Sequence, residues 1–390
     1  MKAYEIKPDV YWVGAIDWNL RNFHGYDTSR GGTYNAYLIL DEKITLIDNV
    51  YHSFTDELIE RISSIIDPSK IEVIISNHGE PDHSGSLKKI LALAPHAKVY
   101  ASPNGEKILK AEYGNIPIQA VKSGETLSIG KRTLCFVHTP MVHWPDNMVT
   151  YDEYDQILFS NDAFGQHIAS SARLDEDYSL EVLFFELKKY YANIILPYSS
   201  QTKKALEAIN SLKIQMICPS HGLLIKKYLK EVLEVYQGLV EHRKKNQAII
   251  IYDSMWGSTE KLAHTIAEAF ISLQIPTSVY NVNHSHESDL ILEMMEAKYV
   301  AIGSPTLNNG LLTSIAGFLN YIKGLKPQNL SYVAFGSYGW GGQSPNLIDQ
   351  SLEEMGYHRL MAPIRQYFVP TKEVLEEFKV KLVEAIQQHN

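Results

Sequence analysis

From residue 246 onward, continuous apolar runs, short loops and amphipathic helices alternate strictly, and this pattern restricts the fold more than any other feature of the chain. The runs in "QAIIIYDS", "KYVAIGSPT" and "LSYVAFGSYGW" are each followed by a loop and a helical segment. Apolar runs without polar alternation are typical of parallel strands that are covered on both faces. Repeated strand–helix units of this kind predict a doubly wound parallel sheet.

The first part of the chain has a different pattern, with many short strands, turns and intervening helices. Two apolar runs within residues 31–50 flank the tripeptide Asp41-Glu42-Lys43, which indicates a hairpin. Short strands are predicted as far as "QMICPS", and a helix within "KKYLKEVLEVYQGLVEHRKK" precedes the change of pattern. We therefore predict two domains, residues 1–245 and 246–390, and the length of 390 residues favours such a division.

Seven side chains of metal-binding types occur in loops at the ends of apolar strands. The segment "NHGEPDH" places four of them within six positions, and the other three follow later strands. A buried scaffold can hold such loops rigidly beside solvent. A single histidine in such a place is more often structural, but seven candidates together favour a metal site. The candidate ligands are His78, Glu80, Asp82, His83, His143, Asp162 and His221.

The spacing of these residues resembles that of the metallo-β-lactamase superfamily, whose hydrolases carry His-x-His-x-Asp-His and usually bind zinc. Here Glu80 stands in place of the second histidine, which is the substitution that defines the flavodiiron proteins. The segments "NHGEPDHSGS", "MVHWPDNM", "LFSNDAFGQH", "YYANI" and "CPSHG" all resemble that family, and the resemblance extends over essentially the full chain. It implies a fold of the α/β and α+β classes, with an N-terminal metallo-β-lactamase-like αβ/βα sandwich followed by a flavodoxin-like doubly wound parallel sheet.

The resemblance also implies how the ligands would be divided between two iron ions. Zinc has no redox change and accepts tetrahedral, nitrogen-rich sites, whereas the carboxylate of Glu80 adds hard anionic oxygen, which suits iron. Asp162 would bridge the two ions, because its carboxylate offers two oxygens. Whether His83 binds iron directly or is displaced by water stays open. The family's pattern assigns one iron to His78, Glu80 and His143 and the other to Asp82, His83 and His221.

Three further residues resemble positions around the metals in the family: His24, His167 and Tyr191. Each could donate a proton or a hydrogen bond to a bound oxygen species. The alternative is that each of them only packs and satisfies backbone groups. Asp48, in "TLIDNV", is expected to steady the ligand loop.

Three loops of the second domain resemble the cofactor loops of flavodoxins. In "IYDSMWGSTEKLA" a strand leads into a hydroxyl-rich turn and a helix, where hydroxyls and backbone N–H groups would enclose a phosphate. This turn is neither a dinucleotide fingerprint nor a nucleotide-binding P-loop, and by itself it could be a serine-rich helix cap. The loops after two later strands meet it at the switch point of a doubly wound sheet, so we predict FMN. The expected FMN-binding residues are Ser254, Met255, Trp256, Gly257, Ser258, Thr259, Ser304, Pro305, Thr306, Leu307, Asn308, Asn309, Ser337, Tyr338, Gly339, Trp340, Gly341 and Gly342.

Together, the two cofactors imply a flavodiiron oxidoreductase that reduces O2 to water, NO to N2O, or both, with electrons delivered through FMN. Reduction of O2 to two water molecules takes four electrons, which two ferrous ions and a reduced flavin supply. The family's head-to-tail homodimer, or a dimer of such dimers, would bring the FMN of one chain to the irons of the other. Because the sequence has no Cys-x-x-Cys knuckle, a separate electron donor is expected, either rubredoxin or a reduced deazaflavin coenzyme.

Two other functions remain compatible with the sequence. One is a metallo-β-lactamase-like metal-dependent hydrolase with an accessory flavin domain, which Glu80 and the metal content would distinguish. The other is an electron carrier or redox sensor with a degenerate metal site, which the complete set of seven ligands disfavours. The sequence does not decide between O2 and NO.

The composition bears on partners and on cellular location. The formal net charge of −9 gives no reason to expect a nucleic acid or an anionic membrane as a partner. The segment "MKAYEIKPDVYWVG" lacks the apolar core of a secretory signal, and no apolar run reaches the ~18–20 residues that span a bilayer. The two cysteines, Cys135 and Cys218, cannot form a disulfide framework. We therefore predict a cytoplasmic protein.

Overall fold

The computed structural model describes residues 1–389, and the chain divides into two compact units. The first unit is Met1–Glu241, and the second begins at His242. The predicted division lies after Lys245, the residue at which the first strand of the second unit begins. The strands of each unit pair only within that unit, and each unit has its own core.

The first unit contains a seven-stranded sheet, a five-stranded sheet and two small strand pairs. Its strands are β1 (Tyr4–Lys7), β2 (Val10–Trp12), β3 (Ala15–Asp17), β4 (Asn22–Phe23), β5 (Tyr26–Asp27), β6 (Gly32–Tyr34), β7 (Tyr37–Ile39), β8 (Thr45–Ile47), β9 (Val73–Ile75), β10 (Lys98–Ala101), β11 (Ile118–Ala120), β12 (Thr126–Ser128), β13 (Thr133–His138), β14 (Met148–Asp152), β15 (Ile157–Asn161) and β16 (Met216–Pro219). The large sheet has the order β1-β2-β7-β8-β9-β10-β11, and the smaller one has the order β12-β13-β14-β15-β16.

The first unit also contains seven α-helices. They are α1 (Thr55–Ser63), α2 (Pro81–Ser84), α3 (Leu87–Leu93), α4 (Pro103–Tyr113), α5 (Leu180–Tyr190), α6 (Ser199–Ile209) and α7 (Leu229–Val240). A π-helical segment, Tyr191–Ile195, continues α5.

The core of the first unit lies between the two sheets. Ile39 and Val73 of the large sheet belong to the same buried cluster as Phe136 and Phe159 of the smaller sheet. Because side chains alternate along a strand, Leu38 points to the other face of the large sheet, where a second cluster includes residues of α1, α3 and α4. The result is a sandwich with helices outside and sheets inside, as predicted.

The second unit is built on one parallel sheet. Its strands are β17 (Lys245–Tyr252), β18 (Thr277–Asn281), β19 (Ala297–Gly303), β20 (Ser331–Tyr338), β21 (His358–Arg359) and β22 (Ile364–Tyr367). Its helices are α8 (Ser258–Ser272), α9 (Glu287–Glu296), α10 (Thr313–Leu325), α11 (Ser344–Glu354) and α12 (Lys372–His389). The strand order is β18-β17-β19-β20-β21, with β22 also paired to β20, and all pairs are parallel. This order is that of a flavodoxin-like doubly wound sheet, which confirms the predicted fold class.

Both faces of this sheet are covered. Ile250 and Val333, from the middle of the sheet, share a buried cluster with Phe270 of α8 and Leu382 of α12. Ile251 and Val300 point to the opposite face and are also fully buried, so the continuous apolar runs reflect strands that are buried on both sides. Among the described residues, no helix has both the length and the apolar character needed to cross a bilayer.

Candidate metal centre and cofactor cleft

Four of the candidate ligands lie on one short loop and on the helix that follows it. His78 and Glu80 follow β9, and Asp82 and His83 belong to α2. Pro81 occupies the first position of α2, where its fixed φ suits the helix and its missing N–H has no partner to lose. The tight change from loop to helix brings the four side chains into one pocket.

The other three ligands come from the smaller sheet of the same unit. His143 lies in the loop from β13 to β14, Asp162 directly follows β15, and His221 follows β16. Strands β15 and β16 are parallel neighbours, so their carboxyl ends, and the ligands that follow them, lie at the same edge. All seven side chains are buried except that of His143, which is half-buried.

The structure brings the seven predicted ligands together as two adjacent groups. Within each group, one ligand atom from every residue lies within 4.8 Å of the others. The first group is His78, Glu80, His143 and Asp162, and the second is Asp82, His83 and His221.

Asp162 lies between the two groups. Its Oδ1 is 3.0 Å from His83 Nε2 and 3.5 Å from His221 Nε2. Its Oδ2 is 3.6 Å from His78 Nε2 and 3.5 Å from His143 Nε2. Each oxygen of one carboxylate thus faces a different pair of imidazoles, which is the arrangement expected of a bridging ligand.

Several atoms of this pocket are buried without a hydrogen-bond partner among the described residues. They are both oxygens of Asp82, both ring nitrogens of His83, Oδ2 of Asp162 and Nε2 of His221. Buried polar atoms nearly always have partners, so such a cluster needs an explanation. His83 Nε2 and Asp162 Oδ1 approach each other without hydrogen-bond geometry, as ligands do when both point to one ion. Four imidazoles and three carboxylates therefore fit two cations.

The electrostatics of the pocket also favour positive charge. Burial would raise the pKa of Asp162, but the neighbouring imidazoles of His83 and His221 hold it well below its usual value. Burial would lower the pKa of His221, but Asp162 and Asp82 raise it to about 10. The pocket thus favours the ionised form of Asp162 and a positive charge at His221.

Two of the imidazoles are oriented by contacts outside the ligand set. His78 Nδ1 is 3.1 Å from both oxygens of Asp146, whose Oδ2 also accepts a hydrogen bond of 2.7 Å from Gly79 N. His221 Nδ1 is 2.7 Å from the backbone oxygen of Thr33. These contacts leave Nε2 of each ring directed into the pocket, as is usual for metal-binding histidines.

Sequence reasoning missed Asp146. This residue lies three positions after His143, and an acidic side chain in a ligand-bearing loop is a signal that could have identified it. Asp48 acts as expected, because its carboxylate accepts hydrogen bonds of 2.7 and 3.0 Å from the backbone and side chain of Asn77, the residue before His78.

His24 and His167 both lie beside the pocket, in different environments. His24 is in the turn between β4 and β5, its side chain is 60% exposed, and its Nε2 is 3.0 Å from Glu80 Oε1. The hydrogen bond to Glu80 raises the pKa of His24, against a smaller opposing effect of burial. His167 is buried, with neither ring nitrogen hydrogen-bonded to a described residue, and it lies 5.2 Å from the ring of His221. Burial, followed by the charge of His221, holds the pKa of His167 well below its usual value.

The structure corrects the prediction for Tyr191. Its hydroxyl donates to Ser199 Oγ at 2.8 Å, and its ring packs against Tyr236, away from the metal ligands. Tyr190 occupies the predicted place, with its hydroxyl donating to Asp162 Oδ1 at 3.1 Å. One residue along a helix rotates the side chain by about 100°, so adjacent tyrosines point to different surroundings.

The three predicted cofactor loops of the second unit surround a cleft of about 670 Å³. They follow β17, β19 and β20, whose carboxyl ends lie at one edge because the strands are parallel. A cleft of this size suits a cofactor. The predicted residues that line it are Met255, Trp256, Ser258, Pro305, Thr306, Leu307, Asn308, Asn309, Ser337, Tyr338, Gly339 and Trp340.

The remaining predicted residues do not line the cleft, although some of them shape its loops. Ser254 Oγ accepts a hydrogen bond of 3.1 Å from the backbone N–H of Gly257, which precedes α8 with a φ of +83° that glycine tolerates best. The hydroxyl of Thr259 is 2.8 Å from that of Ser337. The predicted residues outside the lining are Ser254, Gly257, Thr259, Ser304, Gly341 and Gly342.

Sequence reasoning also missed two residues that line the cleft, Phe368 and Val369. They follow β22, and both are more than half exposed. An apolar pair directly after a strand of a doubly wound sheet is the signal that could have indicated them.

Each of the two units matches a known protein family. Residues 33–222 match the family model for the ODP family beta lactamase, and residues 250–382 match the model for flavodoxin. The nitric oxide reductase of Moorella thermoacetica is 42% identical over 354 residues, covering 89% of this chain and 89% of that protein. The rubredoxin-oxygen oxidoreductase of Megalodesulfovibrio gigas is 41% identical over 386 residues, covering 97% of this chain and 96% of that protein.

A solved structure matches this chain over both units. The flavodiiron protein from Giardia intestinalis superimposes with a TM-score of 0.95 at 33% identity, covering 99% of this chain and 97% of that chain. A β-lactamase-like unit that carries the metal pocket, joined in one chain to a flavodoxin-like unit, defines the class of protein. The chain belongs to the flavodiiron protein family, as its motifs predicted.

Proposed function

We propose that this chain reduces O2 to water, NO to N2O, or both, at a non-haem di-iron centre that receives electrons through FMN. The position of Glu80 carries the proposal. Its Oε2 lies 3.2 Å from His78 Nε2 and 3.3 Å from His143 Nε2, so a carboxylate completes a pocket that is otherwise that of a zinc hydrolase. The names of the relatives from M. thermoacetica and M. gigas support NO and O2 as the substrates.

The proposed ligands divide into two sets with Asp162 between them. His78, Glu80 and His143 would hold one iron, and the second group would hold the other. His83 Nε2 points into the pocket, which supports direct binding rather than replacement by water. When bound, the irons supply electrons and open coordination positions for the gas.

The surroundings of the pocket restrict the access of water. The ring of Phe23 lies 5.1 Å from that of His167 and 6.0 Å from that of His221, and the ring of Tyr34 lies 6.1 Å from His221. Such aromatic walls lower the local dielectric and strengthen the attraction between the carboxylates and bound cations.

We assign the supply of protons to His24. Its exposed ring reaches solvent, and its Nε2 contacts Glu80 Oε1 at the edge of the pocket, so protons can pass inward at this atom. Tyr190, which donates its hydroxyl proton to Asp162 Oδ1, fixes the orientation of the proposed bridge. His167 lines the pocket in its neutral form.

The cleft in the second unit is the proposed FMN site. FMN held in this cleft would supply two-electron uptake from the donor and one-electron release to a centre of one-electron metals. Trp340 is the proposed stacking partner, with Met255 and Trp256 along the cleft. Rubredoxin or a reduced deazaflavin coenzyme is the proposed electron donor, and the proposed location is the cytoplasm.

A head-to-tail homodimer, or a dimer of such dimers, is part of the proposal. Mixing two inactive variants tests it. A chain with Asp162→Asn and a chain that cannot bind FMN should recover activity when they are mixed. In the mixed dimer, the FMN of the first chain would face the intact metal pocket of the second chain. Full activity of a monomer in dilute solution would exclude the arrangement.

The function is tested by metal analysis and turnover on one preparation. Protein produced with iron should contain iron and FMN, and after anaerobic reduction it should oxidise on addition of O2 or NO. Parallel measurements with the two gases decide the preference between them. A fully occupied dizinc site with hydrolytic activity and no gas consumption would overturn the proposal in favour of a hydrolase.

A further inference from the structure

A small cavity lies in the first unit, between the outer face of the smaller sheet and helices α6 and α7. Val149 of β14 and Leu158 of β15 form its floor. Leu206 and Ile209 of α6 and Tyr236 of α7 cover it. All five of these side chains are buried, so the cavity belongs to the interior of the protein.

The hydroxyl groups around this cavity are almost all engaged elsewhere. Ser160 Oγ donates to the backbone oxygen of Ala163 at 2.8 Å, and Thr202 Oγ1 donates at 3.0 Å to the carbonyl four residues earlier in the chain. The hydroxyl of Tyr236 accepts a backbone N–H at 2.8 Å. Thr139 also contributes a hydroxyl to the lining. The cavity therefore offers very few polar contacts.

The size and polarity of the cavity restrict which molecules can occupy it. It leaves about 20 Å³ for the centre of a water-sized molecule, whereas one water needs roughly 10–15 Å³ and two to four polar partners. The space suffices for one small molecule, and the lining offers fewer free polar groups than the three or so that usually hold a buried water. Empty apolar cavities of this kind accept apolar guests such as xenon.

The walls of the cavity are joined directly to the metal pocket. Val142 and Ala163 both line the cavity. Val142 is bonded to His143, and Ala163 is bonded to Asp162. Each of these two lining residues is therefore the chain neighbour of a proposed metal ligand. A guest in the cavity would therefore lie behind the loops that hold two of the ligands.

We propose that this cavity is a docking site for the diatomic gas that the enzyme reduces. O2 and NO are small, uncharged and weakly polar, and they match a largely apolar space whose lining includes the chain neighbours of two proposed ligands. The inference rests on the proposed function, since it takes its ligand from that reaction. The side chain of Ala205 in α6, which also lines the cavity, is the point at which the space can be filled.

The test is xenon binding to crystals of the iron- and FMN-loaded protein, combined with gas kinetics. The wild type should show xenon in the cavity, and Ala205→Leu should lose it, because leucine keeps the helix and occupies the space. The same variant should raise KM for the gas severalfold with little change in kcat. Ala208→Leu, on the exposed side of the same helix, is the matched control and should keep both the xenon and the wild-type KM.

Iron content, FMN content and thermal unfolding of Ala205→Leu show whether the substitution disturbs the fold, and Ala205→Val provides a smaller filling residue if it does. Absence of xenon from the wild type overturns the inference. The inference is also overturned if Ala205→Leu excludes xenon from the cavity but leaves the KM for the gas unchanged. A wild type that binds xenon but reduces neither gas would mean that the proposed function itself is wrong, and the two failures are thereby distinguished.

Discussion

The metal pocket and the cofactor cleft bind their groups by opposite means. In the pocket, charged and imidazole side chains converge in a buried space, and six of the seven candidate ligands are almost fully buried. In the cleft, loops and aromatic rings surround an open volume, and Trp256 and Trp340 are 92% and 82% exposed. Buried carboxylates are costly unless a cation accompanies them, so the pocket depends on its ions far more than the cleft depends on its flavin.

Because of this difference, we expect a substitution at one site to leave ligand binding at the other site unchanged. Loss of a pocket residue leaves buried charge without compensation, and this affects metal binding strongly. Loss of a cleft residue removes contact area from a partly exposed ligand, and this affects affinity moderately. Each variant below is therefore measured for both iron and FMN.

Asp162→Asn is expected to have the largest effect. The amide cannot offer an anionic oxygen to each group, so iron content should fall and turnover should drop by at least ~100-fold, since even residues behind the ligands account for about 10–100-fold. FMN content should stay at the wild-type level. Asp177→Asn, at an exposed aspartate of the same unit, is the control. Unchanged iron content and turnover would exclude the bridging role.

Asp146→Asn tests the support behind the ligands. The amide keeps the shape but loses the charge that orients His78, so iron affinity should weaken by about 10- to 100-fold. Metal titration of the apoprotein measures this, while FMN affinity should not change. If iron bound equally well, the contact to His78 would be merely structural.

Trp340→Ala tests the cleft. Aromatic stacking contributes about 0.5–1.5 kcal/mol beyond burial, so the Kd for FMN should rise by roughly 2- to 12-fold. Iron content should be unaffected. Trp18→Ala removes an exposed tryptophan of the first unit and should leave the FMN affinity unchanged. A lower iron content in Trp340→Ala would contradict the independence of the two sites.

The smallest effects are expected from the two adjacent tyrosines. Tyr191→Phe removes the hydrogen bond to Ser199 and should lower the free energy of unfolding by about 1 kcal/mol, with turnover unchanged. Tyr190→Phe removes the hydrogen bond to Asp162 and should lower turnover. Thermal unfolding and gas consumption of both variants measure the contrast, and each serves as the control for the other. If Tyr191→Phe lowered turnover and Tyr190→Phe did not, Tyr191 would be the tyrosine that acts at the metal pocket.

Much of the candidate site could be predicted because its residues follow strands. His78, Asp162 and His221 each come after an apolar run, and the edge of a sheet collects the ends of its strands whatever the detailed contacts are. The three cofactor loops were predicted for the same reason, since a doubly wound sheet brings the ends of β17, β19 and β20 together. At these loops, the apolar pattern of the preceding strand was enough to predict where the residue lies in the fold.

The misses occur where the direction of a side chain matters. Tyr190 and Tyr191 are adjacent in sequence, and the end of α5 together with the π-helical turn after it decides which of them faces Asp162. Asp146 turns toward His78, and Phe368 turns toward the cleft, through loop conformations that leave no periodic signal.

The sequence by itself determined the two units, the ligand types and the approximate places where they meet, because apolar periodicity and the chemistry of side chains are local properties. Only the tertiary structure decided which oxygen of Asp162 faces which imidazoles, which tyrosine reaches it, and that a small apolar cavity has residues of the ligand loops in its lining. Those features depend on distances between segments that are far apart in the chain, and such distances are set only when the sheets and helices pack together.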